Sequence, residues 1–252
     1  MKILKLLTPL LLICTLFLSG CDGFIDKQQE KTVTKNSPYQ TSIKQKPYPY
    51  SNKKIVHFEK LDQQDRPQNA HIQIKYSDKP KSDREPRLNF NPPGWHNYRI
   101  KYKKDNGKIS KYWTFDRTHL VGYLFSGVNT EPKNLVMGTT HLNRGSYSGM
   151  DESNKNSMLY YEMNLDHWLK ENPDNKIDYQ VTPLYKNDEL VPRQIRLAYT
   201  GYDIHGKHIP IKFGAKQEQK GHHATVVILD NKAPNLHINY KNGTAYPVCK
   251  VK

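Results

Sequence analysis

Along residues 6–18 the chain is almost continuously apolar, broken only by Thr8, Pro9 and Thr15. From residue 22 to about 50 it is polar, dominated by Lys, Gln, Ser and Thr, and it closes on Lys46-Pro47-Tyr48-Pro49-Tyr50. Globular patterning begins at Ile55. His71-Ile72-Gln73-Ile74-Lys75-Tyr76 alternates and predicts a strand. Residues 77–98 hold Pro80, Pro86, Pro92, Pro93 and Gly94 and predict a loop. Residues 98–102 alternate again, Asp105-Asn106-Gly107 is a turn signal, and residues 108–115 predict the returning strand, so a hairpin leads into Asp116. Residues 134–138 predict a short apolar strand. Met158, Tyr161, Leu165 and Trp168 recur at helical spacing as far as Lys170, and Asn172-Pro173-Asp174 stops that helix. Residues 177–184, 195–202 and 224–229 predict further strands, and residues 240–243 a turn. No internal repeat is visible. The class is α+β, with strands outnumbering helices.

The apolar run at the start is too short for a comfortable membrane span. Preceded by Lys2 and Lys5 and ended by Leu18-Ser19-Gly20-Cys21, it predicts a cleaved leader over residues 1–20. Leu-Ser-Gly-Cys resembles the bacterial lipobox, which implies that Cys21 becomes the lipidated first residue of the mature chain. Residues 21–50 then form a lipidated cysteine and flexible tether, too polar to bury a core, and residues 51–252 form one domain. Lipid would hold the protein on the extracellular face of the membrane. Of the three cysteines, Cys14 leaves with the leader, Cys21 carries lipid and Cys249 has no partner, so no intrachain disulfide is expected. The formal charge of +15 over 252 residues, at a pI near 9.5, points to a polyanionic partner: nucleic acid, an anionic membrane or an acidic cell-wall polymer.

Two segments carry candidate chemistry: Asp116-Arg117-Thr118-His119-Leu120 and residues 134–162. Asp116-Arg117-Thr118-His119 resembles the Asp-Arg-Gly-His of the DNA/RNA non-specific endonucleases, the ββα-metal or His-Me finger group. Leu120-Val121-Gly122-Tyr123, Glu131-Pro132-Lys133-Asn134-Leu135 and Met158-Leu159-Tyr160-Tyr161-Glu162 are similar to that family's motifs in the same order. Gly94-Trp95 and Tyr179-Gln180-Val181-Thr182-Pro183 extend the likeness over residues 55–248. The resemblance implies a ββα-metal fold with a central antiparallel sheet. It also implies sequence-non-specific hydrolysis of DNA, with RNA as a further substrate. By the same resemblance His119 is the general base, Asn143 the metal ligand, and Glu162 the group that orients metal-bound water. Asn134 supports the site, and Arg117 and Arg144 face phosphate.

The physical demands of phosphodiester hydrolysis agree with this set. A neutral imidazole can take a proton from water. A divalent cation can offset phosphoryl charge and steady the leaving oxygen. Mg²⁺ keeps most of its waters and asks for few protein ligands, so one amide oxygen suffices; Mn²⁺ is the alternative ion.

Three departures from the family pattern stand out. Thr118 replaces Gly, and a β-branched residue does not readily take positive φ. Thr140 stands where secreted members carry Arg, a loss that Arg144 would have to offset. The polar stretch 144–157 lengthens the path from Asn143 to the helix carrying Glu162. Other readings are a surface DNA-binding lipoprotein with a weak or inactive site, and a zinc protein using His119, His141 and His222-His223, which lack ordinary zinc-ligand spacing.

Overall fold

The computed structural model describes residues 46–104 and 106–248. The leader, Cys21, the tether as far as residue 45 and Cys249 lie outside the described residues. The strands and helices, in chain order, are β1 (Ile55–Phe58), β2 (Ala70–Ile74), β3 (Arg99–Lys103), β4 (Ile109–Trp113), β5 (Phe115–His119), α1 (Tyr123–Ser126), β6 (Leu135–Thr139), α2 (Thr140–Arg144), α3 (Met158–Glu171), β7 (Lys176–Leu184), β8 (Gln194–Tyr202), β9 (His208–Ile209), β10 (Gln219–Lys220), β11 (Thr225–Asp230), β12 (Leu236–Asn239) and β13 (Thr244–Pro247).

A seven-stranded antiparallel sheet runs β1-β2-β7-β8-β11-β10, with β9 paired to β8. Its long central strands β7 and β8 pair in register from Lys176↔Tyr202 to Leu184↔Gln194. Alternation gives each strand two faces. Ile177, Tyr179 and Val181 of β7 and Ile195, Leu197 and Tyr199 of β8 join the main core with Met158, Tyr161, Leu165 and Leu169 of α3. Those four helix residues fall three or four apart, which sets one face of α3 against the sheet. Ser157 caps the helix by accepting from Tyr160 N–H, and the helix ends at Asn172, before Pro173.

The opposite face of the sheet is polar yet buried. His71 and Gln73 both reach Asp178 Oδ2 at 2.8 Å, and Arg196 donates to Thr182 Oγ1 at 2.5 Å. Residues 46–50, assigned from composition to the end of the tether, lie on this face. Tyr48 stacks on His71 with centroids 4.0 Å apart, and its carbonyl accepts from Tyr202 Oη at 2.7 Å.

Three two-stranded ribbons complete the fold: β3-β4, β5-β6 and β12-β13. The run 108–115, expected as one strand, is split between two of them. Buried Thr114 donates through N–H and Oγ1 to the Tyr98 carbonyl, and its own carbonyl accepts from Thr140 N–H. It therefore closes the β3-β4 ribbon and releases the chain into β5. The β12-β13 ribbon flanks the turn read at 240–243. Among the described residues, no helix is long and apolar enough to cross a membrane.

Candidate active site

β5 and β6 pair antiparallel, from Phe115↔Thr139 to His119↔Leu135, and α2 follows β6 directly. All six residues singled out in the sequence lie on, or bond to, residues 116–122. No hydrogen bond or ion pair joins any two of the six among the described residues.

His119 ends β5, 8% exposed. Its Nε2 lies 2.7 Å from the Asn129 carbonyl, an acceptor only, so Nε2 carries the proton and Nδ1 keeps the lone pair. Burial pushes the imidazole down to about 4, opposed by the Asn129 bond and helped by the Arg84 cation. The ring is thus neutral across the physiological range.

Asn143 lies on α2, whose first turn is capped by Thr139 Oγ1 accepting from Leu142 N–H. Its Nδ2 donates to Asp116 Oδ2 at 2.9 Å. The amide is thereby oriented, and its Oδ1 is left to accept or coordinate. The Arg144 guanidinium sits 3.2 Å from the same Asp116 oxygen, so its charge is partly offset by the carboxylate.

Arg117 is held differently. It donates to Asn91 Oδ1 at 3.0 and 2.7 Å and lies 4.5 Å over the Trp95 ring. Neither partner is an anion, so the charge remains available to phosphate.

Buried Asn134 spends both ends of its amide on Val121. Nδ2 donates to the Val121 carbonyl at 3.0 Å, and Oδ1 accepts from Val121 N–H at 2.9 Å. It braces the chain just past His119 and, fully buried, is committed to that backbone. Glu162, from α3, accepts from Gly122 N–H at 2.9 Å. A side chain at Gly122 would lie within 2.8 Å of that carboxylate, so glycine is what lets helix and loop meet. Burial raises the Glu162 carboxyl to about 7, and the Gly122 bond opposes the rise. The stretch 144–157 does not carry α3 away from the site. It folds back on itself, with Asp151 N–H donating to the Arg144 carbonyl and Asn154 Nδ2 to the Gly145 carbonyl.

The concern over Thr118 is removed by geometry. β5 runs extended through Thr118 to His119, so no positive φ is required there. The space for its side chain comes from Gly138, where a Cβ would lie 2.3 Å from Thr118 Oγ1. Thr140 is fully buried and cannot meet substrate.

Arg84 was not singled out in the sequence. It donates to Asn129 Oδ1 at 2.9 Å, on the residue whose carbonyl holds His119. No local pattern marks it, because the proline-broken segment around it is brought to the site only by contacts such as Asn129 Nδ2 to the Glu85 carbonyl.

The donor chemistry fits a hard, water-retaining cation: a free amide oxygen on Asn143 and a carboxylate on Glu162. No cluster of three or more His, Cys, Asp or Glu side chains suited to a metal occurs among the described residues. The histidines of the zinc reading find other partners: His141 packs edge-on to Tyr147, while His223 stacks on His208 and meets His222 edge-on.

Comparison with known proteins identifies the family. A family model described as DNA/RNA non-specific endonuclease matches residues 48–201. A solved extracellular nuclease is 37% identical, covering 80% of this chain and 98% of its own, with a TM-score of 0.65. A solved extracellular endonuclease is 38% identical, covering 84% and 95%, with a TM-score of 0.67. NucA from Streptococcus agalactiae with magnesium bound shares the fold at 21% identity and a TM-score of 0.59, over 81% of this chain and 83% of its own. No curated protein matches the chain. The ββα unit, the ordered motifs around it and the family match together show that this chain belongs to the DNA/RNA non-specific endonuclease family.

Proposed function

We propose that this chain is an extracellular, divalent-metal-dependent endonuclease that hydrolyses DNA, and RNA as a second substrate, with His119 as general base. The observation that carries the proposal is the His119 imidazole: neutral, fixed in one tautomer by the Asn129 carbonyl, with Nδ1 free to take a proton from water. A buried imidazole of low basicity is a poor base on its own. An arriving phosphodiester offsets the Arg84 charge and adds its own negative charge, which favours the imidazolium when it must form.

Asn143 Oδ1, oriented by Asp116, would hold the cation, and Glu162 would orient water on it. Such an ion supplies charge compensation on the phosphoryl oxygens and the leaving oxygen. Magnesium is the ion we favour, as in the NucA structure; the related Sda1 structure holds zinc. Arg117 and Arg84 would bind phosphate. Asn134 holds the residues after His119 in place. Arg144, read from the sequence as a phosphate contact, is better suited to steadying Asp116 beside Asn143.

The extracellular setting rests on the leader over residues 1–20 and on the names of the similar nucleases. Lipidation of Cys21 would tie the enzyme to the outer face of the membrane. The test is plasmid digestion by residues 22–252 with Mg²⁺, with EDTA, and by His119→Ala and Asn143→Ala. Cutting should require Mg²⁺ and should fall by several orders of magnitude in His119→Ala, with DNA binding retained. Asn143→Ala should lose its response to added metal. A wild type that binds DNA but never cuts would leave a surface DNA-binding protein in place of an enzyme.

A further inference from the structure

The β3-β4 ribbon, immediately before the strand of the active site, has two unlike faces. Ile100, Tyr102 and Tyr112 turn inward. Tyr102 and Tyr112 pack on Tyr147 with centroids 4.9 and 6.5 Å away, and buried Tyr147 is anchored by its hydroxyl to the Pro234 carbonyl at 2.8 Å. Tyr147 follows α2, which carries Asn143, so the ribbon packs on the same unit. The outward face holds Arg99, Lys101, Lys103, Ile109, Lys111 and Trp113, all exposed.

Four of those six are cations, and none is in an ion pair among the described residues. Lys101 and Lys111 are directly opposed across the ribbon, as are Arg99 and Trp113. Like charges in that relation destabilise a strand pair. Trp113 is 50% exposed, with Arg99 5.5 Å from its ring centroid. A face that sets like charges together and leaves a tryptophan in water is poorly suited to solvent alone. It is well suited to a polyanion with flat groups along it.

We propose that this face is a second nucleic-acid contact, separate from the cleavage site, that binds the phosphate backbone of the substrate strand beyond the cut. The proposal rests on the nuclease reading above and names how the enzyme holds long substrates. Trp113 and His119 are six positions apart in the chain, a span of at most roughly 21 Å. One strand of nucleic acid can therefore touch both.

The experiment measures DNA affinity against salt in the His119→Ala background, where substrate is not consumed. One protein adds Lys101→Ala, Lys103→Ala and Lys111→Ala. A control with the same change in charge adds Lys207→Ala, Lys212→Ala and Lys216→Ala, three exposed lysines between β8 and β11. The ribbon variant should bind a 30-base-pair duplex at least tenfold more weakly than the control. Its log–log salt slope should be shallower by roughly 3, since each lost phosphate contact removes about 0.9. Its melting temperature should not fall, because an unfavourable Lys pair has been removed. Equal affinity and slope in the two variants would overturn the proposal, while plasmid cutting by the wild type would still stand. Failure of the wild type to cut, with the slope difference intact, would sink the nuclease reading and leave the ribbon contact.

Discussion

A base is useful only if its free lone pair faces the right way, and at His119 one carbonyl decides this. The Asn129 carbonyl can only accept, so Nε2 must donate and Nδ1 must be bare. Burial then holds the ring's folded-state value, about 4, below the ordinary 6.5. As pH falls through that window, the unfolded chain takes up the proton first. The stability that this histidine contributes is therefore whole above about 6.5 and drains away towards about 4. The melting-temperature gap between the wild type and His119→Gln should narrow as pH is lowered from about 7 to about 5. The ¹⁵N shifts of His119 should show the Nε2-protonated tautomer throughout that range. A ring that titrates near neutrality would mean that it is not buried as described, and that the acid limb of activity belongs to it.

At the scale of elements, β5 and β6 couple two residues in a way that neither shows alone. Thr118 fits only because Gly138, diagonal to it on β6 and two residues past its partner Val136, lacks a Cβ. Gly138→Ala should cost about 1–3 kcal/mol through the clash with Thr118 Oγ1. In a Thr118→Gly background that cost should largely vanish, although Thr118→Gly is itself destabilising by about 1 kcal/mol through lost strand preference and an unfilled space. A double-mutant cycle by denaturant unfolding reads the coupling directly; additive effects would show that the two side chains do not compete for one space. The same pair explains what the sequence could and could not convey. His119 was legible in its short motif and the helix carrying Glu162 in its hydrophobic periodicity, because both signals are local. Thr118 looked like a strained substitution because the motif does not show that β5 runs extended through it, nor that Gly138 on the next strand leaves it room. The split at Thr114 was hidden for a similar reason: residues 108–115 contain no Gly or Pro to mark a break, and only the bonds of Thr114 to Tyr98 and Thr140 divide them into two strands. Arg84 was unreadable because nothing within its own segment points to His119.

For the whole molecule, composition drew the boundary of the fold too late. The sequence from 22 to about 50 is polar throughout, and polarity alone cannot distinguish a tether from a strap laid over a polar surface. The sheet face carrying His71, Gln73 and Asp178 is such a surface, and residues 46–50 cover it. Gln73 Nε2 donates to the Pro49 carbonyl at 2.9 Å, and Tyr202 Oη donates to the Tyr48 carbonyl. Tyr50 packs on Tyr202, with centroids 5.4 Å apart. Behind this layer stands β7, whose alternate residue Tyr179 packs in the core with α3, so the strap backs the sheet on which Glu162's helix rests. A chain beginning at residue 51 loses the Tyr48 stack and at least two of these hydrogen bonds, about 2–3 kcal/mol in total. For a domain of this size that is a fall of roughly 5–10 °C in melting temperature relative to a chain beginning at residue 46. A chain beginning at residue 22 should melt with the longer of the two, since residues 22–45 were read as tether. Equal melting temperatures for starts at 46 and 51 would return residues 46–50 to the tether and leave the polar face of the sheet stable without a cover.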